Sequence, residues 1–161
     1  VSVIEERMAS LGYTLPEIAA PVAAYVPATQ LGNFVYTSGQ LPMVAGKLPQ
    51  TGQVAAAEQG HGYVSVAEAT KLAEICALNG LAAARGVLGS LDRIKRVAKV
   101  TVFVNSHPDF TDQALVANGA SLLFGEIFGD AGIHVRSAVG VAALPLNAPV
   151  EIEFMFEVTP D

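Results

Sequence analysis

A single cysteine, Cys76, stands among 161 residues. That excludes an internal disulfide and a cysteine-based zinc cage. Basic side chains are scarce too: nine Lys and Arg against fifteen Asp and Glu, a net charge of −6. Apart from the short run Arg93, Lys95, Arg96 and Lys99 they are scattered, so no nucleic acid is expected as a partner. Long apolar runs are absent. A membrane helix needs roughly 18 such residues, and the apolar stretch at 138–150 is broken by Gly140, Pro145, Asn147 and Pro149. No membrane is expected either. The start shows no charged n-region, apolar h-region and cleavage site. The lone cysteine suits a reducing cytoplasm, which is the expected location. Walker A, dinucleotide and nucleophile-elbow motifs are all missing. His61, His107 and His134 lie far apart without metal-ligand spacing, so no metal is expected and loop or capping roles are the plainer assignment.

What is abundant is apolar surface. Hydrophobic residues make up 52% of the chain, charged residues only 15%, and mean hydropathy is +0.44. This excess must be buried in a core or between subunits, which favours an oligomer. Length and the lack of repeats or linkers fit one domain, 1–161, with residues 1–21 as an N-terminal helical extension. Residues 2–11 read as a short amphipathic helix ended by Gly12. Residues 22–29 and 34–38 read as a hairpin turning at Leu31, Gly32 and Asn33. Residues 41–62 form a long loop, functional or packed on a neighbour. Residues 65–88 predict a helix opened by a Ser65/Glu68 capping box and ended by Gly89, with a small-residue stripe of Ala69, Ala73, Ala77, Gly80 and Ala84. Strand alternation marks 97–104. Pro108 is expected to open a second helix running to about Phe128. Strands follow at 135–144 and 150–158. The order predicts an α/β (α+β) mixed sheet with two helices on one face, leaving the other face for a partner. Phe103 and Met155 on that second face argue for its burial.

Two features carry possible chemistry. Arg136 opens an otherwise small and apolar strand, where an unpaired guanidinium is costly. It either forms a salt bridge at the sheet end, the commoner case, or grips a carboxylate through two parallel hydrogen bonds. Glu151 and Glu153 share one strand face. They are either solvated on an edge strand, or Glu151 is a partly buried general acid or base acting on water. If the two strands pair as neighbours, Arg136 and Glu151 face the same side. Asn118, inside the second helix, reads as structural, and Cys76 as packing.

At these residues the chain resembles a known family. The segments PVAAYVPATQLGNFVYTSGQLP, RIKRVAKVTVFVNSHPDFTD and HVRSAVGVAALPLNAPVEIEF are similar, in order, to three blocks of the RidA/YjgF (L-PSP endoribonuclease-like) family. The likeness spans residues 22–158, and the N-terminal helix and loop 41–62 look like a longer branch. The resemblance implies a chorismate-mutase-like fold and a homotrimer with clefts between subunits. It also implies hydrolysis of reactive 2-imino or enamine acids to 2-keto acids and ammonia. No cofactor is implied, because an imine carbon is already electrophilic. Arg136 matches the carboxylate-binding arginine and Glu151 the water-handling glutamate. Tyr25, Ser38, Gly39 and Asn118 match cleft positions, and Ala138 stands where many members have cysteine. Gly140 replaces an acidic residue. A binding or chaperone-like protein using the same cleft is the alternative. Ribonuclease activity, which the family's older name suggests, is opposed by the acidic balance.

Overall fold

Local signals place the helices as expected, with one exception. The structure is a computed structural model that describes residues 2–18 and 24–160. Helix α1 (Val3–Ser10) starts where the Ser2 side chain accepts from Glu5 N–H. Asp92 anchors this end, accepting from the Val3 and Ile4 amides at 3.0 and 2.9 Å. Helix α2 (Val66–Leu88) has the complete capping box: Ser65 Oγ accepts from Glu68 N–H, and the Glu68 carboxylate accepts from Ser65 N–H. Gly89 ends it at φ 80°. Helix α3 is Gln113–Phe128, so it does not open at Pro108. His107 to Phe110 form a turn instead, closed by Phe110 N–H on His107 O at 2.9 Å. The fixed φ of proline suits the second position of such a turn as well as a helix start. Burial of Phe110 is consistent with the turn.

Among the described residues five strands form one sheet: β1 (Ala28–Leu31), β2 (Phe34–Thr37), β3 (Ile94–Asn105), β4 (Val135–Val141) and β5 (Val150–Val158). Their spatial order is β1-β2-β5-β3-β4. Only β3 and β4 run parallel; the other pairs are antiparallel. The parallel pair needs a crossover, and α3 supplies it. The hairpin is present, but β1 is shorter and later than the expected 22–29. Residues 22–23 lie outside the described part, and 24–27 precede the ladder, with Pro27 unable to donate to it. The turn itself is Gly32 and Asn33, with Gly32 at φ 62°. Strand β4 stops at Val141 rather than Leu144, because β3, its one neighbour among the described residues, ends at the partner residue Asn105.

Helices α2 and α3 cover one face of the sheet. Val97, Val100, Val102, Val104, Ile152 and Phe156 are fully buried beneath them. The small-residue stripe of α2 is buried throughout, and a side chain at Gly80 would collide with the Phe154 ring. Gly119 of α3 packs on the Thr70 carbonyl of α2, with no space for a methyl group. The other face carries Lys99, Thr101, Phe103, Glu151, Glu153 and Met155, and among the described residues no helix or strand lies over it. Val135 and Val139 on this face are 66% and 45% exposed. The long loop is packed on its own chain. Val54 is buried and donates to Asn105 O, and Asn79 of α2 donates to the Leu41 and Met43 carbonyls. Among the described residues no helix is long and apolar enough to cross a membrane.

Candidate functional site

Arg136 is the second residue of β4, on the helix-covered side and level with Val100 of β3. Its Nη1 donates to Asn118 Oδ1 at 2.8 Å and to Ser121 Oγ at 3.1 Å. Asn118 and Ser121 are three apart on α3 and so share a face. Asn118 thus acts on the arginine directly. No carboxylate lies within ion-pair distance of Arg136 among the described residues, so the salt bridge is not found there. Both hydrogens of Nη1 are used. The Nε and Nη2 edge has no protein partner among those residues, and this edge can hold a carboxylate by two parallel bonds. Ala138 follows on the same side, half-buried. Beside the guanidinium is a hollow of about 270 Å³ lined by Ser121, Gly125, Gly132, Ile133, His134 and Arg136.

Ser121 and His134 escape a reading of the sequence as site residues, and only their distance from Asn118 and Arg136 along the chain could have drawn attention to them. Ser121 sits one turn after Asn118, and His134 two residues before Arg136. Ser121 Oγ lies 2.8 Å from His134 Nε2, and His134 Nδ1 lies 2.6 Å from Gly132 O. Burial, foremost, and the nearby Arg136 charge hold His134 below its ordinary value, outweighing the Gly132 hydrogen bond. The other histidines do not join it. His107 accepts from Asp109 N–H in its own turn, and no group of three metal-ligating side chains occurs among the described residues.

Glu151 lies elsewhere. It is the second residue of β5, half-buried, and packs against Gly39. A Cβ on Gly39 would sit 2.8 Å from both Cδ and Oε2 of Glu151, so the missing side chain is the space the carboxylate fills. Desolvation, and then the neighbouring Glu153, raise the Glu151 carboxyl above its ordinary value. The backbone around Gly39 is pinned. Gln40 exchanges both backbone bonds with Ile152, and Ser38 donates its hydroxyl to Val26 O at 2.6 Å. Tyr25 stands nearby in sequence and is 46% exposed. Cys76 is fully buried, and its thiol is pushed up by that burial first and by Glu151 second. It packs the core, as expected.

The condition that would put Arg136 and Glu151 on one side is not met. Strands β4 and β5 are not neighbours; β3 runs between them. Arg136 is level with Val100, which is level with Phe154, on the helix side. Glu151 is level with Phe103 on the open side. Strand alternation therefore puts the guanidinium and the carboxylate on opposite faces of one chain. The candidate residues form two clusters: Arg136, Asn118 and Ala138 with Ser121 and His134, and Glu151 with Gly39 and the backbone of Ser38.

Comparison with known proteins agrees with this architecture. A family model described as "YjgF/chorismate_mutase-like, putative endoribonuclease" matches residues 5–158. Protein TCP17 of Trypanosoma cruzi is 43% identical over 157 residues, covering 96% of this chain and 93% of that protein. The 2-iminobutanoate/2-iminopropanoate deaminase of Escherichia coli K12 is 31% identical over 134 residues, covering 83% of this chain and 87% of the enzyme. Among solved structures, Atu1372 of Agrobacterium tumefaciens superposes with a TM-score of 0.84 at 46% identity, covering 97% of this chain and 92% of that one.

Proposed function

The chain belongs to the YjgF/chorismate-mutase-like family, and from that premise we propose that it hydrolyses small 2-imino acids to 2-keto acids and ammonia. The observation that carries this is Arg136: a half-buried guanidinium held by two neutral side chains, with its Nε and Nη2 edge left without an acid among the described residues. Such an edge suits a substrate carboxylate. A relative at 31% identity is named for 2-imino acids, which carry that group.

Completion of the site is assigned to a second copy of the chain, in a homotrimer. Arg136, Asn118 and Ala138 of one subunit face Glu151, Gly39, Ser38 and Tyr25 of the next. The uncovered sheet face, with exposed Val135 and Val139, is the surface buried on assembly. The substrate carboxylate binds Arg136. Glu151 takes a proton from water as the oxygen attacks the imine carbon. Glu151 passes that proton to the imine nitrogen to give an amino alcohol, then takes the hydroxyl proton and delivers it to the same nitrogen, which leaves as ammonia while the C–O bond becomes the keto group. A carboxyl raised by desolvation is suited to both halves of that exchange.

The test follows ammonia or pyruvate release from freshly generated 2-iminopropanoate. Wild type is expected to turn over, and Arg136→Ala and Glu151→Gln each to lose activity. Mixed oligomers of the two inactive variants regain it, since about one cleft in four pairs an intact Arg136 with an intact Glu151. Turnover by Arg136→Ala equal to wild type removes the role given to Arg136, no turnover by wild type removes the proposed reaction, and failure of every mixture removes the shared cleft.

A further inference from the structure

We propose that His134 is a positioning residue for Arg136, acting through the Ser121 hydroxyl to aim one edge of the guanidinium at the substrate carboxylate. This rests on the function proposed above and adds to it two residues of this chain. Hydrogen-bond direction carries the inference. A carbonyl oxygen can only accept, so the 2.6 Å contact with Gly132 O places the ring hydrogen on His134 Nδ1. In the neutral ring Nε2 then has a lone pair, and the Ser121 hydroxyl donates to it across 2.8 Å. With its hydrogen committed, the Ser121 oxygen is oriented to accept from Arg136 Nη1 at 3.1 Å. Asn118 Oδ1 accepts the second Nη1 hydrogen at 2.8 Å.

Each member of this chain has one assigned direction, and the result is geometric. Nη1 is fully engaged, and only Nε and Nη2 are left to meet a ligand. The His134 ring is itself fixed, half-buried and edge-on to Phe124 with centroids 6.0 Å apart. The burial that keeps it neutral also keeps a second positive charge off the Ser121 oxygen. Without the relay the long arginine side chain must be ordered when the ligand arrives, which weakens binding without touching the chemical step.

The experiment measures kcat and KM for 2-iminopropanoate and the Kd of 2-oxobutanoate, a stable keto acid. The proteins are wild type, Ser121→Ala, His134→Ala, the double variant and His134→Gln. Each alanine variant is expected to raise KM and Kd roughly tenfold, the effect of one lost hydrogen bond to a charged group, with kcat held within about twofold. The double variant is no worse than Ser121→Ala alone, because the histidine acts only through the serine. His134→Gln, which keeps an uncharged acceptor within reach of Ser121, recovers most of the affinity. Additive single effects, or unchanged Kd values, overturn the proposal. A wild type that neither binds the keto acid nor turns over the imine overturns the function instead. The relay is then judged by nitrogen NMR. His134 is expected to carry its hydrogen on Nδ1 near neutral pH, and rotation at Arg136 Nη1 to be faster in His134→Ala than in wild type. Equal rotation overturns the relay whatever the activity.

Discussion

Replacing Gly39 by alanine separates catalysis from folding at one atom. The new Cβ would lie 2.8 Å from Cδ and Oε2 of Glu151 and 3.1 Å from its Cγ. Ordinary contact starts at 3.4 Å, so the carboxylate must withdraw by roughly 0.6 Å. That movement is cheap for stability, because the displaced group is the free end of a flexible side chain. Gly39 does not have a positive φ, so alanine meets no backbone strain there. Reduced freedom of the unfolded chain offsets part of the contact, by about 0.4–1 kcal/mol. Net stability should change by less than about 1 kcal/mol. Activity is less forgiving: a displacement of about 1 Å at a reacting group can cost a factor of about 100. Gly39→Ala is therefore expected to lower kcat roughly ten- to hundredfold while the melting midpoint barely moves and the Kd of 2-oxobutanoate, held by Arg136, is kept. The assay is initial-rate release of ammonia from freshly generated 2-iminopropanoate beside thermal melting of the same preparation. Wild-type kcat in a well-folded Gly39→Ala protein would refute the assignment of proton transfer to Glu151.

Glu151→Gln should lower turnover by about 10²–10⁴-fold, measured in the same assay. Its stability effect has a defined sign: the folded-state carboxyl is raised, so that group's contribution is full at low pH and is lost as pH rises through the raised value. Glutamine should therefore raise the melting midpoint at neutral pH and not in acid, and the acid limb of wild-type kcat/KM should lie above 4.5. Gly119→Ala drives a methyl group into the Thr70 carbonyl between α3 and α2; denaturant titration should show a loss of about 1–3 kcal/mol or more. Asp92 is held below its ordinary value chiefly by the Ile4 amide, so its stabilisation is present above 3.8 and is lost as pH falls through the lowered value. Asp92→Asn should speed amide exchange in α1 at neutral pH, with the difference shrinking in acid.

Much of the architecture was legible because its signals are local. The Ser65/Glu68 box, the Gly32 turn and the alternation of β5 each involve residues close in sequence, and each appears in the structure. The inference that two helices cover one face also held, since an apolar face must be buried by something. Pro108 misled because one φ value serves two structures, a turn and a helix start. Ser121 gave no signal of its own: a serine on a helix is ordinary until an arginine and a histidine are brought to it.

The chain alone, then, determined which residues are unusual: an arginine in a small apolar strand, two glutamates on one face of a strand, and more apolar surface than one core explains. Tertiary structure alone decided where they stand. Placing β3 between β4 and β5 puts Arg136 and Glu151 on opposite faces. Side-chain direction in a sheet depends on register and strand order, which arise from contacts between distant segments and leave no periodic trace along the sequence.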